Sequence, residues 1–156
     1  MINIAKKTRE VTDVFLDSIP YGELVSSGEP VILKGVASDW PLVVAGLKSN
    51  EDAMQYMKGF DAGRQVTMYK VPAEAKGRIF YNEDLTGFNY EHVRTTIAEF
   101  MDTILAHIPD SCPPSHYVGS RDADGFFPGL RAENDLPLAH PMFDHGNLLV
   151  SVWMGS

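Results

Sequence analysis

An internal disulfide is closed to this chain, because its 156 residues include one cysteine, Cys112. A lone thiol cannot build a multi-thiolate zinc site either. Cys112 precedes Pro113 and Pro114 in what reads as a loop, and a semi-buried thiol without a role is the simplest account of it. Positive charge is also scarce. Thirteen Lys and Arg stand against 21 Asp and Glu, a formal net charge of -8. That balance argues against nucleic acid, whose phosphates need clustered cations, and against an anionic membrane surface. No apolar run reaches membrane-spanning length. The basic residues between Met1 and Glu10 are not followed by an apolar stretch, so no signal peptide is expected and the chain reads as soluble and cytoplasmic. Repeats, low-complexity segments, a Gly-rich phosphate loop and a nucleophile elbow are all missing. So is a regular strand–helix alternation, which argues against Rossmann and TIM architectures.

What is present fits one globular domain over residues 1–156, with 44% hydrophobic residues to form a core. Pro20 to Ser27 reads as a short helix stopped by Gly28. Pro30 to Lys34 is a β-branched apolar run, hence a strand. Asp39-Trp40-Pro41 is a turn, with Pro41 placed to start a helical turn. Ser49 caps a helix expected from about Glu51 to Lys58. Gln65–Val71 and Arg78–Tyr81 read as strands, the second closed by the polar turn Asn82-Glu83-Asp84. The strongest helix signal runs from Thr96 to about His107. Thr96 and Glu99 have capping-box spacing, and Ile97, Phe100, Met101, Ile104, Leu105 and Ile108 fall on one face. Ser115–Val118 is strand-like, 119–140 is loop-rich, and Leu148–Met154 is a strongly apolar strand that runs to the end of the sequence.

That last strand raises a question. A buried strand needs neighbours on its edges and cover on its faces. A domain that stops on one looks truncated, although a small sheet that finishes there is an equal alternative.

Few residues announce chemistry. His140, Asp144 and His145 are of metal-ligand type. However, Asp144 and His145 are adjacent, so an extended backbone points them to opposite faces. Pro141 and Gly146 disfavour the helix that would bring His140 and Asp144 together. His107 suits the negative end of its helix. His92 and His116 lie in strand-like segments with no partner visible. Glu83 and Asp84 sit in a turn and read as solvated. Trp40, Trp153 and Tyr117 read most simply as packing anchors.

Four segments, taken in order, resemble the bacterial cupin-like proteins related to JmjC hydroxylases. They are Pro30–Pro41 with its Asp-Trp-Pro turn, Gly77–Asn89, the set His116–Ser120, Phe127–Leu130 and Glu133–Leu136, and lastly Asn147–Ser156. The resemblance implies a mainly β, α+β fold, the N-terminal portion of a double-stranded β-helix or jelly roll. It also implies Fe(II) and 2-oxoglutarate in the intact protein, with the iron held by a His-x-Asp/Glu pair and a later His. The reaction would be hydroxylation of a protein, peptide or small molecule.

No His-x-Asp or His-x-Glu occurs in residues 1–156, so the resemblance assigns no catalytic residue and no metal ligand here. The expectation is an N-terminal region that is inactive by itself. Tyr117 matches a tyrosine that lines the 2-oxoglutarate pocket in related asparaginyl hydroxylases. Gly119 stands where those enzymes can carry a substrate-contacting glutamine, which puts the same substrate in doubt. Ser151 and Trp153 share a strand face and are candidates for the substrate pocket. A non-catalytic binding or dimerisation module, homodimeric in the simplest case, is the alternative, and a small zinc hydrolase built on His140, Asp144 and His145 is a second.

Overall fold

The computed structural model describes residues 7–136 and 148–156. Near the N-terminus, β1 (Arg9–Val11) pairs in parallel with β2 (Val31–Leu33). Strand β1 carries three residues, too short for any periodicity to announce it. Between them lies α1 (Tyr21–Ser27), ended as expected by Gly28 at φ 61°. Pro41 opens α2 (Pro41–Lys48). The next helix, α3 (Asn50–Lys58), begins where the Ser49 hydroxyl accepts the Asp52 N–H at 2.9 Å.

A second sheet holds the centre. It contains β3 (Gln65–Val71), β4 (Glu91–Thr96), β5 (Ser115–Asp122) and β6 (Ser151–Gly155), in the order β4-β3-β5-β6. Every neighbouring pair is antiparallel. Between β4 and β5 runs α4 (Ile97–His107), started by the capping box that its sequence predicts. The Thr96 hydroxyl accepts the Glu99 N–H at 3.3 Å, and the Glu99 carboxylate accepts the Thr96 N–H at 2.9 Å. One turn of helix, α5 (Ala123–Phe126), follows β5 directly. The mixed α+β architecture with an antiparallel sheet agrees with a partial jelly roll.

Alternation builds the core. Val66 and Met68 of β3 and Val118 of β5 point to one face, where Met57 of α3 and Ile97, Phe100, Met101 and Ile104 of α4 cover them. A polar staple locks the periphery. The buried Asn134 accepts the Leu42 N–H at 2.9 Å, capping α2 from 92 residues away. Its amide donates to the Tyr56 hydroxyl at 2.8 Å and to the Leu130 carbonyl at 3.0 Å. Tyr56 in turn donates to Glu133.

Several expectations are corrected. Arg78–Tyr81 is no strand, and only Tyr81 makes a bridge, to Phe88. The backbone bonds of this segment go to a compact loop instead. Phe80 N–H donates to the Asn89 side chain at 2.9 Å, and Asn82 exchanges bonds with Gly87. The terminal apolar strand begins at Ser151 rather than Leu148, and it is not a buried core strand. Among the described residues it is an edge, with Val152 and Met154 packed against the core and Trp153 65% exposed, while Leu149, ahead of the strand, is 76% exposed. The segment after Gly119 is less loop-like than expected, since β5 continues to Asp122 before α5. Cys112 is exposed, not semi-buried.

Candidate functional site

The face of the central sheet opposite the helices is aromatic. Tyr69 on β3 stands directly across from His92 on β4 and from Tyr117 on β5, so all three side chains emerge on one side. Tyr117 in turn stands across from Gly155 on β6, which puts Trp153, two residues back, on the same side. The rings meet. Tyr69 and Tyr117 stack with centroids 6.0 Å apart and 18° between planes, and Trp153 meets Tyr117 edge-on at 6.3 Å. Tyr69, Tyr90 and His92 form a triangle with centroid separations of 5.1 to 5.3 Å. From Tyr90 the row continues through Phe88 and Tyr81 to Phe80, each step 5.1 to 5.3 Å. Aromatic pairs in this range prefer offset or edge-on packing, as seen here.

Glycine shapes the middle of this face. A Cβ built on Gly119 would meet the Tyr117 ring at 3.6 Å and its hydroxyl oxygen at 3.8 Å. The phenol therefore lies along β5 over Gly119, and no hydrogen bond ties its hydroxyl to the described residues, so its tip can donate to a group placed on the sheet. Gly155 is tighter, with a Cβ there meeting the Tyr117 ring and the His116 carbonyl oxygen at 3.4 Å each. The structure thus brings together two of the three residues that the sequence singled out, Tyr117 and Trp153. Ser151 shares their face but sits at the far end of β6, opposite Asp122 and beyond the irregularity between Val118 and Arg121.

The aromatic face is wider than the sequence reading. Tyr69 and Tyr90 add to it, and His92, which shows no partner in the sequence, meets both of their rings; the signal for all three is the period of two within Gln65–Val71 and from Tyr90 to His92. A separate hollow of about 600 Å³, lined by Asp13, Lys34 and Asp39 among others, contains none of the predicted site residues.

Iron does not fit this face. Of ordinary ligand types it offers His92 alone near the tyrosines, and no group of three or more His, Cys, Asp or Glu among the described residues could hold a metal ion. His140, Asp144 and His145 lie outside the described residues. None of the described helices is long and apolar enough to cross a membrane.

A search among curated proteins finds no match. The family described as a cupin-like domain matches residues 18–156, which takes in every strand of the central sheet and the whole aromatic row. With that match over most of its length, and with an antiparallel sheet covered on one face, the chain belongs to the JmjC-related cupin-like domain family.

Proposed function

We propose that this chain forms one wall of the pocket of an iron(II)- and 2-oxoglutarate-dependent oxygenase that hydroxylates a protein, peptide or small molecule. Tyr117 donates from its phenol to a carboxylate of the cosubstrate, and Trp153 and Ser151 border the substrate side. The observation that carries this reading is the row of rings on the face that the helices leave open, with Tyr117 between Tyr69 and Trp153 toward its β6 end. Such a face excludes water from one side of a ligand while phenol and imidazole tips supply orientation. The metal, when bound, supplies the oxidising chemistry, and its ligands are not among the described residues.

The test is cosubstrate turnover. Residues 1–156 with Fe(II), 2-oxoglutarate and oxygen should form no succinate. A polypeptide that adds a His-x-Asp/Glu segment and a later His from the same reading frame should form it. In that longer protein Tyr117→Phe should raise the KM for 2-oxoglutarate about tenfold or more, the size of a lost hydrogen bond to a charged group. Succinate made by residues 1–156 alone would refute the proposal, as would a reading frame with no such ligands.

The second reading, a non-catalytic binding or dimerisation module, is favoured by the exposure of Phe80, Leu85, Phe88 and Trp153. A mass that rises with concentration, together with silence in the turnover assay of the longer protein, would select it.

A further inference from the structure

The helix-covered face of the sheet contains one titratable ring that the aromatic site does not use. His116 on β5 is 2% exposed, and its Nδ1 is buried with no hydrogen-bond partner among the described residues. Its ring lies flat against that of His107, at the end of α4, with centroids 5.3 Å apart and 15° between planes. The charged and titratable groups around it come from each neighbouring element. Lys70 stands directly across on β3, with Glu91 of β4 beyond it on the same rung. His107 comes from α4, and Asp110, in the loop that follows, is 2.7 Å from His107 Nδ1. At the end of β6, Ser156 brings its hydroxyl. The His116 main chain grips that end twice: its N–H donates to the Ser156 hydroxyl and its carbonyl accepts the Ser156 N–H, both at 3.0 Å.

We infer that His116 and His107 form an acid-sensitive latch, closed when His116 is neutral and released when it is protonated. Closed, the stacked rings hold the last turn of α4 on β5, and the His116 main chain holds the end of β6. A proton on His116 places a cation in a buried slot between Lys70 and His107, where no carboxylate among the described residues bonds its Nδ1. The slot relaxes by opening toward water. Burial first, then the charges that His107 and Lys70 can carry, hold the His116 pKa below its ordinary value. The unfolded chain then binds the proton more readily than the folded one. Stability is complete above about pH 6.5 and is lost as the pH falls through the lowered folded value. The latch lies on the opposite face of the sheet from Tyr117 and does not depend on the chemistry proposed there.

Amide hydrogen exchange of the full chain, corrected for the intrinsic rate, tests this between about pH 7.5 and pH 5.5, the range in which histidine changes charge. The Gly155 and Ser156 amides should lose protection about tenfold for each unit by which the His116 pKa is lowered. The Val66 and Met68 amides, in the centre of the sheet, should keep theirs. In His116→Phe, which retains an aromatic disc without a titrating nitrogen, the selective loss should disappear. Its persistence in that variant would overturn the latch. Should the variant not fold, the ring proton of His116 in the native protein decides. Titration below the ordinary histidine range, in step with the Gly155 and Ser156 amides, supports the latch. Titration at the ordinary value, or with no response from those amides, overturns it.

Discussion

The two faces of the central sheet are built from the same strands by residues one position apart, yet they are different materials. On one, Val66, Met68 and Val118 lie under Phe100 and Met101, with little or no exposure. On the other, Tyr69, Tyr117 and Trp153 spread a row of rings that no described helix covers. The difference teaches where a residue's contribution goes. On the first face a side chain is held from all sides, so its loss leaves a hole. On the second a ring keeps much of its water contact, so its loss changes what the surface can hold rather than whether the domain folds. The contrast extends to polarity. The covered face admits one titratable ring, His116, whereas the open face carries phenols and an imidazole at their ordinary places on strand surfaces.

The sharpest way to break that comparison is to remove a matched ring from each side. Phe100→Ala should cost about 3 to 5 kcal/mol, the usual range for deleting a fully buried aromatic. For a domain of this size that is a large part of the whole stability. Trp153→Ala removes a larger ring, yet one that is 65% exposed on an edge strand. Its effect should stay within about 0.5 kcal/mol. Urea unfolding of both variants gives the two numbers directly. Comparable losses would mean that the open face is covered by something in solution, and the distinction between the faces would fall.

An intermediate effect is expected at the polar staple. Asn134 has no ring and little apolar area, but it closes bonds to Leu42, Tyr56 and Leu130 from inside the protein. Asn134→Ala leaves the Leu42 N–H at the head of α2 without its acceptor in a region with little water, at about 1 to 3 kcal/mol, while the Leu130 carbonyl keeps the backbone N–H groups of residues 133 and 134. Asn134→Asp keeps the acceptor for the Leu42 N–H and loses both donors, so it should fall between the two. If Asn134→Ala were neutral by urea unfolding, α2 would be held by packing alone and the staple would be incidental.

Much of this arrangement was legible because it is local. The capping box of Thr96 and Glu99, the stop at Gly28, Pro41 at the head of α2 and the strand Gln65–Val71 all follow from neighbours within a few residues. What escaped depends on partners far along the chain. Asn134 meets Leu42 across 92 residues, and His116 meets His107 only because α4 folds back over β5. The apolar Leu148–Met154 run misled for the same reason. Hydrophobicity says that a strand is wanted, but only its neighbours decide whether it becomes a core or an edge, and here Leu149 and Trp153 face outward. The segment Arg78–Tyr81 failed differently. Its residues favour a strand, but Asn82 and Asn89 satisfy the backbone with side-chain bonds and turn the chain into a loop. At the candidate site, Tyr117 and Trp153 came from family resemblance, whereas Tyr69 and His92 needed only the period of two.

The smallest expected effect is also the most discriminating between structure and function. Tyr117→Phe deletes one oxygen from a ring that keeps its stack on Tyr69 and its edge contact with Trp153. No hydrogen bond to that oxygen ties it to the described residues, so unfolding should shift by no more than about 0.5 kcal/mol, as for a surface change that leaves packing intact. The aromatic row would therefore survive, and near-ultraviolet circular dichroism should look the same. Any loss of carboxylate binding in the longer protein would then belong to the hydroxyl itself and not to a disturbed sheet. A large stability change would reverse the inference. It would mean that the phenol holds a partner of its own, and that the open face is part of the scaffold rather than a surface kept ready for a ligand.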